Sequence, residues 1–173
     1  AETGRLDGDL CRAQPYASLI KVPTPILHWQ LTAFSTRQLD INAWSDLKPF
    51  KVGYERGMTI IAEHSELNLL PANSIESAIL QASMGRVDVL LNDDFTTRYN
   101  LRRMGVENLI ANPTPLAPGP AFHLLNSKHQ KLAEQLNAVL LEMTANDRIR
   151  QIKDEVIEDF MRKAEQEYRQ EQP

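Results

Sequence analysis

A cation and an anion fall at matching places in a phrase that this chain uses twice. Gly4-Arg5-Leu6-Asp7-Gly8-Asp9-Leu10 reappears as Gly85-Arg86-Val87-Asp88-Val89-Leu90-Leu91. Five residues past Asp7 stands Arg12, and five past Asp88 stands Asp93. An arginine fork holds a carboxylate through two hydrogen bonds. A carboxylate is the acceptor an ammonium needs once water is excluded. At equivalent strand ends the two suit a pocket for a zwitterion. Each has a plainer alternative: Arg12 as half of a surface salt bridge, and Asp93 or Asp94 as the cap of the helix that follows. Asp94 is the one expected to cap.

Gly57-Met58-Thr59 is the next candidate. It follows an apolar segment and opens a helix, where free N–H groups attract anions and a hydroxyl adds a donor. The same turn is also an ordinary strand-to-helix connection. Trp29 and Tyr54 offer apolar walls to a ligand, or simply pack. Enzyme chemistry is poorly signalled. His28, His64, His123 and His129 lack metal-ligand spacing, Asp93 and Asp94 are adjacent rather than a separated acid–base pair, and no Ser, His and Asp form a nucleophile context. No catalytic residue, metal or cofactor is called for.

The elements that must position these groups come from 173 residues, one domain or two small ones. A hydrophobic fraction of 42% supports a packed core. The formal charge of −4 gives no basic face for nucleic acid. No apolar run approaches the ~20 residues of a membrane span. Ala1-Glu2-Thr3-Gly4 lacks the order of a leader peptide, which leaves the compartment open. The single Cys11 excludes an internal disulfide and is expected to be small and buried.

Strands are expected over 6–11, 26–34, 50–54, 67–70, 87–91, 106–110 and 122–125, with 15–25 extended and 35–46 a connection. A short helix is expected over 58–63. The clearest helix starts from Asn73 as cap, with Glu76 in a capping box, and closes at Gly85. Another runs from Asp94 to Gly105. Asn112–Pro120 holds four prolines in nine residues and reads as a stiff extended crossover. Ser127 and Gln130 open a helix whose buried face is Leu132, Leu136, Val139 and Met143. Ile149, Ile152, Val156, Phe160, Ala164 and Tyr168 continue the apolar stripe, and charges fill the other faces. Alternation of strand and helix between 50 and 110 predicts a parallel, doubly wound unit. Two extended stretches, 22–34 and 112–125, enclose it like hinge crossings.

Gly-Arg-Leu-Asp-Gly (4–8), Leu-Ile-Lys-Val-Pro-Thr-Pro-Ile (19–26), Asp-Leu-Lys-Pro-Phe-Lys-Val-Gly-Tyr (46–54) with Gly57-Met58-Thr59, Gly-Arg-Val-Asp-Val-Leu-Leu-Asn-Asp (85–93) and Leu-Leu-Asn-Ser-Lys-His (124–129) form an ordered series. The series resembles the extracytoplasmic solute-binding proteins of ABC transporters, family 3, the polar amino-acid branch. The resemblance covers nearly the whole chain and implies an α/β, periplasmic-binding-protein type II-like fold of two lobes joined by hinge strands. Family members open with a βαβα stretch that has no counterpart here, so the first lobe is expected to be incomplete, whether shortened or naturally reduced. The expected division is 1–34 for the remnant of lobe 1 and the first hinge strand, 35–117 for lobe 2, and 118–173 for the second hinge strand and helices returning to lobe 1.

By resemblance Asp93 holds a ligand ammonium and the 57–59 turn a carboxylate. Met58 stands where relatives often carry Thr. Arg12 is a candidate on position, because the family's arginine phrase differs. The implied function is non-catalytic binding of a small polar, amino-acid-like solute for delivery to an ABC permease, outside the cytoplasm. Two alternatives remain: a sensory or interaction module that pairs with a second copy through the incomplete lobe, and a dehydratase-like enzyme on the same fold.

Overall fold

The computed structural model describes residues 6–12 and 19–171, leaving aside the side chains of Arg12 and Glu171. These residues form strands β1 (Gly8–Arg12), β2 (Leu19–Lys21), β3 (Leu27–Ser35) and β4 (Lys51–Glu55), then helix α1 (Thr59–Ala62), strand β5 (Asn68–Ala72), helix α2 (Ile75–Ser83), strand β6 (Val89–Asp93) and helix α3 (Asp94–Met104). Strands β7 (Ile110–Ala111) and β8 (Ala117–Asn126) and helices α4 (Gln130–Ala145) and α5 (Arg148–Glu171) complete them. Residues cluster into two compact units. One takes the chain to Trp29 and returns for Gly119–Asp159; the other takes Gln30–Pro118 and the chain from Phe160 onward.

In the second unit β4 lies between β5 and β6, parallel to both, and β6 runs antiparallel to β3. Parallel neighbours need a crossover, and α1 and α2 supply the two. The short side of Gly53 lets β4 approach Val87, where a Cβ would come within 2.9 Å of Cγ2. Phe34, Ile75, Ala78, Ile79, Ala82, Val87 and Leu90 fill the core between the sheet and α2. Ser74 caps α2, its Oγ accepting the Ser77 N–H at 3.3 Å, so the cap is not Asn73. Glu76 then pairs with Arg103 at 2.6 Å. Its carboxyl is held below the usual range, first by its own backbone N–H and then by Ser74.

The repeated phrase yields β1 and β6, each of five residues and each ending on its charged residue. Both start later than expected, because the repeated aspartate bonds at the strand entrance. Asp88 Oδ2 accepts the Lys51 N–H at 2.8 Å. Asp7 contacts Lys128 and His129 at 2.8 Å each. The expected strand over 106–110 shrinks to β7, since Val106 packs into the core and Asn108 is tied to Ser83.

The first unit pairs β1 and β2 antiparallel with β8. Its core is Val22, Ala133 and Leu140, with Ile20, Ile26, Leu125, Leu136 and Ile149 against it. Three departures belong to this part of the chain. The last part of the proline-rich crossover, from Ala117, joins β8: Pro118 and Pro120 precede the described pairs with β1 and β2, which begin at Phe122 and Leu124, so their missing N–H groups break none of those pairs. Cys11 is exposed, with φ 60°, because two residues between Asp9 and Arg12, Leu10 and Cys11, stand opposite the one residue between Leu124 and Phe122 on β8, in a bulge. The buried face of α4 is Ala133, Leu136 and Leu140; Leu132 and Val139 are about half exposed, at 49% and 51%.

Helix α5 runs unbroken from the first unit into the second. From Phe160 it packs on α3. Phe160 meets Phe95 and Tyr99 edge-on, with centroids at 6.1 and 5.8 Å. Glu165 pairs with Arg102 at 2.8 Å. The Tyr168 ring lies where a Cβ on Gly105 would stand, and Gly105 closes α3 with φ 63°. No described helix is long and apolar enough to cross a membrane.

The Asp7 cluster has a pH signature. Hydrogen bonds from Lys128 and then His129 lower the Asp7 pKa from 3.8 to about 2. A depressed carboxyl stabilises the fold above its unfolded value and loses that contribution as pH falls through the folded one. The expected result is that Asp7→Asn narrows the loss of melting temperature between pH 4 and pH 2. The effect is small and salt-sensitive, since the Asp7 side chain is 74% exposed. Equal acid slopes for both proteins would refute the assignment.

Candidate functional site

The parallel trio carries its chain reversals at one end, where open α/β sheets bind ligands. Val52 pairs with Val89 and Gly53 with Leu90. Continuing that register three residues sets Arg56, at the start of the turn after β4, level with Asp93 at the end of β6. Neighbouring strands stand about 4.8 Å apart. The sheet therefore brings Asp93 and the Gly57-Met58-Thr59 turn to the same edge.

Asp93 is the cap of α3, and Asp94 is not, contrary to the sequence expectation. Asp93 Oδ1 accepts from the Thr96 N–H at 2.9 Å and from Thr96 Oγ1 at 2.8 Å. Its other oxygen carries none of the described hydrogen bonds, so capping fixes the carboxylate without exhausting it. Asp94 is the first helical residue and pairs with Arg98 at 2.8 Å. Phase explains the exchange: the ladder of β6 starts at Val89, so the strand ends on Asp93.

Gly57 has φ 103°, the left-handed region that glycine enters freely. The Met58 carbonyl accepts from the N–H groups of Ile61 and Ala62, and the Met58 N–H is used by Glu55. No described hydrogen bond occupies the N–H groups of Gly57, Thr59 or Ile60. Gly57 and Thr59 are exposed and Met58 half-buried. Helix α1 has only four residues, so the loose N–H groups, rather than a helix dipole, are what this turn offers an anion.

Tyr54 is 8% exposed and belongs to the core of the second unit. Trp29 belongs to the first unit; its ring lies against Gly119, and its buried Nε1 has no partner among the described residues. Arg12 ends β1, its backbone paired with Phe122; its guanidinium lies outside the described residues. A groove of about 610 Å³ between α3 and α5, lined by Arg98, Leu101, Met161 and Tyr168 among others, shares no residue with this set.

Two further polar side chains lie beside Asp93 and carried no sequence signal beyond being polar within apolar strands. Thr32 and Asn92 face each other across β3 and β6, each 2% exposed. The Asn92 Oδ1 accepts the Asp93 N–H at 2.8 Å. Thr32 Oγ1 and Asn92 Nδ2 have no hydrogen-bond partner among the described residues.

These elements make an α/β fold of the periplasmic-binding-protein type II kind, with an open mixed sheet and two strands, β3 and β8, crossing between its units. No family model matches the chain, and no curated protein does. Solved structures do. A histidine kinase sensor domain with similarity to periplasmic binding proteins has TM-score 0.73 and 16% identity, over 89% of this chain and 71% of that one. The GluR0 ligand-binding core complexed with L-glutamate has TM-score 0.69 and 17% identity, over 94% and 73%. The amino-acid ABC transporter substrate-binding protein AbpA from Streptococcus pneumoniae, bound to L-arginine, has TM-score 0.68 and 14% identity, over 94% and 71%. At these identities the likeness is one of fold.

Proposed function

We propose that this chain binds a small zwitterionic solute, an amino acid or a close analogue, without transforming it. The observation that carries the reading is the shared sheet edge: a carboxylate fixed by capping, with one oxygen uncommitted, beside a turn in which the Gly57 and Thr59 N–H groups carry no described hydrogen bond. In this reading Asp93 takes the ammonium and the 57–59 turn takes the carboxylate. Tyr54, of the same unit, limits the apolar surroundings. The fold neighbours that hold L-glutamate and L-arginine favour this ligand class. Delivery to a membrane permease, and a place outside the cytoplasm, follow from the family resemblance.

Titration calorimetry against a panel of amino acids including L-glutamate and L-arginine is the direct test. Saturable heat for at least one member is expected. Absence of heat across the panel would end the reading.

The sensor-domain neighbour favours a second reading, in which binding is retained and the output is a signal. A ligand-free stable dimer in a solution mass measurement supports that reading over transport, and a monomer in both states counts against it.

A further inference from the structure

We infer that Asn92 and Thr32 are positioning residues for the Asp93 carboxylate; the inference rests on the binding role proposed for Asp93. Phe34 opposes Leu90 and Thr32 opposes Asn92, so the four side chains share one face of the sheet. Phe34 and Leu90 are core. Arg98 of α3 lies 5.8 Å over the Phe34 ring, which puts α3 across this face. The apolar core thus gives way to polar residues on approaching Asp93. The buried residues of α3 are themselves polar: Thr97 at 0% and Asn100 at 6% exposure. Thr97 Oγ1 donates to the Asp93 carbonyl at 2.7 Å, and Asn100 Nδ2 to the Thr96 carbonyl at 2.9 Å.

Asn92 takes the Asp93 N–H and Thr97 its carbonyl, while Thr96 takes its carboxylate. Every polar group of Asp93 but one carboxylate oxygen is thereby tied. A buried amide or hydroxyl without a partner is unfavourable by about 1–3 kcal/mol. The Asn92 Oδ1 bond to Asp93 offsets part of that loss, but packing alone does not explain Asn92 Nδ2 and Thr32 Oγ1, which have no partner among the described residues. Orientation does: the backbone of Asp93 is held by a side chain that cannot swing out, and the uncommitted oxygen is aimed rather than free to rotate. Places where local rules are broken at a cost in stability are where function is expected.

The test compares Asn92→Leu and Thr32→Val with the unaltered chain, using calorimetry with L-glutamate and L-arginine and with their counterparts lacking the α-amino group, glutarate and 5-guanidinovalerate. Asn92→Leu is expected to weaken the amino acid by about tenfold or more, the size of one lost buried hydrogen bond. It should leave the deaminated counterpart within twofold, while the lost bond to the Asp93 N–H lowers the melting temperature. Thr32→Val should act the same way more weakly, and it decides the matter if Asn92→Leu fails to fold. Unchanged discrimination for the α-amino group in both variants would overturn the inference, whatever the melting temperature does. If the unaltered chain binds no amino acid of the panel, the parent reading fails and this one with it; if it binds one and the variants bind that one alike, this one alone fails.

Discussion

Asp93→Asn is expected to lose amino-acid binding while keeping the fold's stability, and Asp93→Ala to lose both. Asparagine is as good an N-cap as aspartate, so its side-chain oxygen can still take the Thr96 N–H. It brings no charge to an ammonium. Truncating one member of a desolvated charge pair costs roughly 2–5 kcal/mol, so affinity should fall at least about thirtyfold. Alanine removes the cap as well, at about 1 kcal/mol of stability. Calorimetry and thermal melts on the three proteins read the two effects separately. If Asn and Ala both bind like the unaltered chain, and only Ala melts lower, Asp93 is a cap and nothing more.

That ambiguity was legible in the sequence, but its resolution was not. The repeated phrase correctly brought Arg12 and Asp93 to the last positions of two strands, because a turn, an entering aspartate and an apolar run dictate a short strand locally. Which of two adjacent aspartates caps α3 depended on where β6 begins. That was decided by Lys51, far off in sequence, whose N–H binds Asp88. Helix α4 shows the same limit. Leu132-Leu136-Val139-Met143 and Ala133-Leu136-Leu140 both recur at helical spacing, and period alone does not choose the phase. Val22 and its neighbours chose the second. The prolines of 112–120 read as one crossover, but β8 already begins within them, at Ala117. Asn92 and Thr32 were opaque because polarity inside a strand is ordinary on an exposed face; only the pairing with β3 and the cover of α3 make it costly.

Phe34→Ala carries the largest expected loss of stability. Phe34 is 1% exposed and meets Ile75, Ala78, Ile79 and Leu90 in the core of the second unit. Removing a buried phenylalanine loses its transfer free energy and leaves a cavity that neighbours only partly fill, together about 3–5 kcal/mol. Against a whole stability of about 5–15 kcal/mol, that is a large share. The melting temperature should fall by the order of 10 °C. Leu80→Ala supplies the contrast on the outer face of α2: Leu80 is 46% exposed and should cost less than about 1 kcal/mol. Both outcomes are read in denaturant titrations. The same cavity bears on the site. Phe34 opposes Leu90, two residues before Asn92, so a collapsed cavity there would shift the end of β6 and the carboxylate it holds. Phe34→Ala should therefore weaken amino-acid binding even at temperatures where the protein remains folded, whereas Leu80→Ala should not. If Phe34→Ala binds normally below its melting point, Asp93 is held by its own cap and the Asn92 bond alone, independently of the core behind β6.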